Sequence, residues 1–214
     1  MRITNFEQFR KACPLSHEQV IERLVEHYFS SGTPKRRENT RANLDAIVLS
    51  TFKLSKQIGF AKMSMRDLHR ECGLSLGGLY NYFESKESLA LMIVEALHHI
   101  AFDWLPQLAE DNMEDSVRLA QLIRGHIYLS ELLRPWFFFV FMESKNLPAE
   151  NKEKARKVEL DFQALLSSLY PQDSLIPAHL MAMMQDWHVK HWKYRNTSID
   201  DFATSVLNIA LASR

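Results

Sequence analysis

Two serines, Ser64 and Ser75, each head a short apolar-periodic run and offer a hydroxyl beside free backbone N–H groups. Groups of that kind suit a phosphate oxygen, and Lys86 adds a point charge in the first turn of the helix that follows. Tyr82 has two readings: a ring packed on the domain with its hydroxyl extended to phosphate, or a tyrosine satisfied inside the core. Asn81 carries the amide that pairs bidentately with adenine, and Tyr80 is placed to touch backbone or base. Leu76 offers only apolar contact, best with a thymine methyl, or else faces solvent or core. Gly77 and Gly78, adjacent in a helix, cost about 1 kcal/mol each relative to alanine, which points to close backbone approach by DNA. No nucleophile–base motif, phosphate loop or carboxylate pair accompanies these residues, so an enzyme is not expected.

These groups are positioned by two short helices. Ser64 and Asp67 form an acidic variant of the capping box, and Met65, Leu68 and Cys72 share one face. Gly73 stops that helix, and Ser75 opens a second, over 75–83, with Leu76, Leu79, Tyr80 and Phe83. Helix, tight turn, helix is the helix-turn-helix pattern, whose second helix enters the major groove. Thr40 to Gly59 supplies a bracing helix with Leu44, Ile47, Val48, Thr51, Phe52, Ser55 and Ile58 on one face. The stretch from Ser30 through Ser31, Gly32, Thr33 and Pro34 to Arg37 is polar, breaker-rich and then basic, and is read as a linker. Lys35, Arg36 and Arg37 then form either an arm to phosphates or the minor groove, or a solvated charge run. Before it, Thr4 with Glu7 and Ser16 with Gln19, on either side of Pro14, predict a short and a longer helix. Those two helices either pack on the body or dock a partner.

The order Asn43-Leu44-Asp45-Ala46, Phe52, Gly59-Phe60, Met63 to Leu68, Cys72 to Ser75, Gly77, Leu79 to Phe83, Ser85 to Glu87 and Leu89 resembles the DNA-binding domain of the TetR (tetracycline-repressor) family of bacterial transcription regulators. The resemblance covers residues 40–90. It implies a recognition helix at 75–83 and backbone contacts from Ser64, Tyr82 and Lys86. Leu76 and Gly78 stand where many members have a basic and a hydroxyl residue, so weak direct readout per half-site is expected, with help from phosphates, DNA shape and the basic arm.

The chain has 214 residues, 46% of them apolar, and 26 basic against 26 acidic residues. Bulk attraction to nucleic acid or to an anionic membrane therefore has no basis in net charge. From Lys35 to Lys86, however, ten basic residues face five acidic ones, leaving +5 there and −5 elsewhere. With only Cys13 and Cys72, a disulfide framework is not expected, and reducing cytoplasm is the expected setting. The N-terminus lacks an apolar signal region, and the apolar run from Pro135 to Met142 is too short to span a bilayer, so a soluble protein without membrane association is expected.

Periodicity continues from Leu89 toward Trp104 with Pro106 as a stop, and further helices are predicted near 114–133, 135–145, 149–169, 177–195 and 198–212. The expected architecture is all-α: a helical extension and linker (1–34), a three-helix helix-turn-helix domain (35–86) and a larger helical ligand-binding and dimerisation domain (87–214). An aromatic run at Trp136 to Met142 suits a buried helix. Trp104, Leu122, His126, Tyr128, Trp136, Phe139 and Met142 are the candidate lining of an apolar pocket, with a solid core as the alternative; the resemblance favours the pocket. The resemblance also implies a dimeric four-helix bundle from the last two helices, with Met184, Trp187, His188, His191, Trp192, Phe202, Val206 and Ile209 in the seam. His188 and His191, with His179 or His126, lack the spacing of a metal site, so no metal or cofactor is expected. The expected function is a homodimeric regulator released from operator DNA by a small hydrophobic effector. The alternative is a helical small-molecule-binding or partner-binding protein without promoter control.

Overall fold

The structure is a computed structural model that describes residues 2–13, 15–30, 33–110 and 112–214. Pro14 and the linker residues Ser31 and Gly32 lie outside the described residues. Every regular element within them is helical.

Helices α1 (Phe6–Ala12) and α2 (His17–Tyr28) form the extension. Asn5 rather than Thr4 caps α1, because Thr4 spends its N–H and hydroxyl on Gln8 Oε1 while the Asn5 side chain accepts the Gln8 N–H. Ser16 caps α2. The Gln121 side chain pairs with both backbone groups of Ile3, accepting from its N–H at 2.7 Å and donating to its carbonyl at 3.0 Å. Asp200 Oδ1 likewise accepts from Phe6 N–H (2.8 Å) and from the Tyr128 hydroxyl (2.6 Å). The extension therefore packs on the body, which satisfies backbone groups it would otherwise bury unpaired.

Helix α3 (Pro34–Ile58) begins at Pro34, not Thr40. Thr33 accepts the Arg36 N–H and Pro34 occupies the first turn, so residues 33–37 are a helix start that resembles a breaker-rich linker in sequence. Lys35, Arg36 and Arg37 are accordingly exposed helical residues and not an arm. Helices α4 (Met65–Cys72) and α5 (Leu76–Tyr80) complete a three-helix unit around Leu44, Ile47, Val48, Leu68, Leu79 and Phe83, all buried.

Helix α6 (Lys86–Leu108) leaves this unit and enters the body. Pro106 lies inside its last turn, where it removes the N–H that would donate to the Phe102 carbonyl, and the helix ends two residues later at Leu108. By length and composition α6, rather than the run at Pro135, is the helix able to cross a bilayer, but 56% of its most apolar window is buried inside the fold, as in a core helix. The body continues with α7 (Asp115–Leu132), α8 (Arg134–Glu143), α9 (Ala149–Ser167), α10 (Ile176–Val189) and α11 (Ile199–Ala212). Helix α7 is central, packing on α1, α6, α8, α10 and α11. Gly125 lies at its contact with α6: a Cβ there would lie 2.8 Å from Leu108 Cδ1 and 3.0 Å from Leu105 Cδ2, so those leucine side chains would have to shift to admit one.

Candidate nucleic-acid interface and cavities

Ser64 forms a complete capping box with Asp67. The Asp67 N–H donates to Ser64 Oγ at 3.2 Å, and the Ser64 N–H and hydroxyl donate to Asp67 Oδ2 at 3.0 and 2.6 Å. Those hydrogen bonds, led by the Ser64 hydroxyl, hold the carboxyl below its usual range. Gly73 ends α4 in the left-handed region at φ 75°, and His69 Nδ1–H donates to the Leu74 carbonyl at 2.5 Å, which closes the turn and fixes the proton on Nδ1. Ser75 caps α5 by accepting the Gly78 N–H at 3.0 Å. An ion pair between Lys53 and Glu71 ties α4 to α3. The result is a rigid turn presenting Ser75, Gly77, Tyr80 and Asn81 to solvent, with Leu76 and Gly78 half-buried beside them.

Helix α5 has only five residues and ends before Tyr82 and Phe83, shorter than the expected 75–83, as paired glycines favour. Tyr82 is half-buried: its hydroxyl accepts from Asn43 Nδ2 at 2.9 Å and its ring centroid lies 5.5 Å from that of Phe29. Lys86 is turned inward, donating from Nζ to the Phe60 and Ala61 carbonyls, both at 2.9 Å, and lying 5.0 Å from the Phe60 ring centroid. Each of these two side chains thus finds a partner within the folded unit. Lys62 and Arg66, which flank Ser64, are exposed and make no ion pair among the described residues. Sequence reasoning counted them as charge without naming them as contacts; their position beside the capping serine was the available signal. Asn43, the partner of Tyr82, carried no such signal.

One junction links the extension, the helix-turn-helix unit and the body. His17 Nε2–H donates to Asp45 Oδ1 at 2.6 Å, and Trp136 Nε1–H donates to His17 Nδ1 at 3.0 Å. Both imidazole nitrogens are used, which requires the neutral ring.

The seven residues expected to line one pocket do not converge. Tyr128 packs on Phe6 and Phe9, with centroids at 5.6 and 5.7 Å, and Trp136 packs on Phe52 at 5.3 Å. Leu122 is buried, and Trp104 and Met142 are half-buried, all outside the cavity linings. His126 does line a small cavity of about 100 Å³, with Ala101, Phe137, Val140, Phe162 and Met181. Its ring stacks on Phe162 at 4.5 Å, and its buried Nε2 has no hydrogen-bond partner. Burial lowers its pKa to about 4, so the ring is neutral. Phe139 instead lines a separate cleft of about 550 Å³ between α3 and α8. Aromatic content alone did not reveal which face of α8 each ring takes.

Five of the proposed seam residues, Met184, Trp187, His188, Phe202 and Val206, are buried within one chain. Trp187 stacks on Tyr194 (5.5 Å) and packs on Phe202 (4.8 Å), and its Nε1–H donates to Glu131 at 2.8 Å. His188 pairs with Ser130 at 2.6 Å. These side chains join α10 and α11 to α7, since an amphipathic helix first buries its apolar stripe in its own core. Trp192 and Ile209 remain exposed, His191 is half-buried, and the outward groove between α10 and α11 carries Ala182, Met183, Asp186 and Ser205.

A family model described as bacterial regulatory proteins, tetR family, matches residues 47–93. An uncharacterised HTH-type transcriptional regulator, YerO, of Bacillus subtilis (strain 168) is 30% identical over 67 residues; the match covers 31% of this chain and 23% of that protein's length. A TetR-family regulator from Bordetella parapertussis 12822 superposes with a TM-score of 0.67 at 18% identity, over 78% of this chain and 93% of the other. AibR in complex with isovaleryl coenzyme A and operator DNA superposes with a TM-score of 0.66 at 17% identity, over 78% of this chain and 97% of that one. At such identities these two structures establish likeness of fold.

Proposed function

We propose that the chain is a member of the TetR family of bacterial regulatory proteins, and within it a homodimeric repressor released from its operator by a small apolar effector. The observation that carries the DNA-binding half is the capped α4–Gly73–α5 turn, which holds Ser75, Gly77, Tyr80 and Asn81 on one solvent-facing edge beside Lys62, Arg66 and Ser64. Phosphate contacts in this reading come from the exposed cations and helix starts, and base contacts from Asn81 and Tyr80. In a dimer joined through the outward groove of α10 and α11, with Ile209 and Trp192 at its margins, two such edges would meet major grooves about 34 Å apart. The domain limits 35–86 and 87–214 are part of the same proposal, with α6 as the lever between them.

The effector site is the cavity at His126. At about 100 Å³ it holds only a few heavy atoms, so a larger ligand requires displacement of the surrounding helices. AibR, with isovaleryl coenzyme A, offers a precedent for a short branched acyl group in this fold. Ligand must favour the displaced arrangement to release DNA.

The test is footprinting of the chain on the DNA upstream of its own gene, repeated at rising salt. A protected segment with steeply salt-dependent affinity is expected. Binding no tighter than to shuffled DNA would remove promoter control and favour the alternative of a helical binding protein, a reading kept in view by the short, glycine-paired α5.

A further inference from the structure

The cavity at His126 lies where α6, α7, α8, α9 and α10 meet, and its lining is apolar except for four side chains: His126, Ser144, Glu159 and Gln185. Ser144 and Gln185 are half-buried and Glu159 is exposed, so these three stand on the solvent side. Glu159 Oε1 accepts from Gln185 Nε2 at 3.1 Å. No cation is among the lining residues, and Glu159 is their one carboxylate. His126 alone carries polarity into the interior. Its ring is held on two sides, stacked on Phe162 with centroids 4.5 Å apart and edge-on to Phe137 at 6.1 Å. Nε2 is the one buried side-chain nitrogen or oxygen of the lining without a hydrogen-bond partner among the described residues.

The lining restricts what can enter. The ring is neutral because burial disfavours its charged form. In a neutral imidazole, Nε2 is a donor in one tautomer and an acceptor in the other. A hydroxyl both donates and accepts, so it pairs with Nε2 in either state, whereas a ketone only accepts. A carboxylate or an ammonium would enter an apolar interior that holds no opposing charge, at a large desolvation cost. Glu159 at the solvent side repels the carboxylate further. Size is limiting as well: about 100 Å³, against about 30 Å³ for a water in the liquid, suits an apolar body of about four carbons.

We propose, on the reading of this cavity as the effector site, that its ligand is a small uncharged alcohol whose apolar part lies among Phe137, Val140 and Phe162 and whose hydroxyl pairs with His126 Nε2. The hydroxyl supplies the buried nitrogen with the partner that the fold does not. Leu97 and Ala101 of α6 belong to the same lining, so the seated alcohol presses on the helix that begins at Lys86, beside the DNA-binding unit.

The experiment is nuclear magnetic resonance titration of the whole chain, without DNA, with butanol, chlorobutane and butyrate, which share one carbon frame. Butanol is expected to bind and to move the His126 imidazole nitrogen signal toward hydrogen-bonded values, a displacement that chlorobutane does not produce. Butyrate should bind about tenfold more weakly than butanol, or less. His126→Leu is expected to weaken butanol about fivefold and to leave chlorobutane as tight or tighter. Ala155→Leu, which narrows the cavity, should weaken both. The proposal is overturned by absence of butanol binding, by butyrate binding as tightly as butanol, by a butanol-to-chlorobutane ratio unchanged in His126→Leu, or by butanol binding that Ala155→Leu leaves intact. Circular dichroism of each variant separates lost binding from lost fold, and the nitrogen signal tests the pairing in wild-type protein alone. Adding butanol to the footprinted complex tests the effector reading separately: release supports both, while butanol bound at His126 with the footprint intact removes the effector reading and leaves the ligand class supported.

Discussion

Replacing His126 by leucine should make the protein more stable and less sensitive to acid. The ring is buried against Phe162 with Nε2 unpaired, and its pKa falls from 6.5 to about 4 because burial disfavours the charged form. The unfolded chain therefore takes up a proton near pH 6.5, while the folded chain does so only near pH 4. Stability is fully present above the higher value, declines as pH drops between the two and levels off below the lower. Between pH 7.5 and pH 5 this one group costs about 2 kcal/mol. His188, lowered to about 3 by burial and neighbouring cationic groups, contributes in the same direction. Urea unfolding at the two pH values measures the loss. His126→Leu should recover about 2 kcal/mol of it, and at pH 7.5 should gain about 1 kcal/mol by removing an unsatisfied buried nitrogen. If the variant loses as much stability on acidification as wild type does, the ring is not held neutral by its burial and the reasoning fails.

Gln121→Ala leaves both backbone groups of Ile3 buried without partners and should cost about 2 kcal/mol in urea unfolding; an unchanged midpoint would detach the extension from the body. Tyr82→Phe removes the hydrogen bond from Asn43 and should lower stability by about 1 kcal/mol while changing DNA affinity little in a mobility-shift assay; a large uniform loss of affinity would restore a phosphate contact. Gly77→Ala meets nothing within 4 Å of the added Cβ and should stabilise α5 by about 1 kcal/mol, yet weaken DNA binding if the backbone approaches the groove there. In the proposed dimer, Trp192→Ala should shift the equilibrium toward monomer in sedimentation under dilution, and an unaltered profile would move the proposed seam away from that residue.

Much of the fold was legible because its signals are local. The Ser64–Asp67 box, the left-handed Gly73 and the Ser75 cap each depend on residues within a single turn, so the helix-turn-helix could be read without knowing what surrounds it. The cap of α2 was legible for the same reason. Thr33-Pro34 misled because a cap followed by proline and a breaker-rich linker use the same residues. Which way a side chain turns is a different kind of information. Lys86 reads as a free cation until the Phe60 and Ala61 carbonyls are brought to it, and Tyr82 as a free hydroxyl until Asn43 arrives from α3.

The body shows the same division. Apolar periodicity identified α7, α8 and α10, but a helix such as α8, apolar nearly all round, gives no phase by which to assign Trp136, Phe139 and Phe141 to different neighbours. Thus the sequence by itself determined the all-α class, the helix-turn-helix unit and its turn, through hydrogen bonds that reach only three or four residues along the chain. Tertiary structure alone decided that Trp136 meets His17 and His17 meets Asp45, that the seam candidates Trp187 and Phe202 are core, and that the space near α8 is divided between a small cavity at His126 and a larger cleft between α3 and α8. Those outcomes depend on contacts between residues far apart in the chain, whose free energies no local pattern encodes.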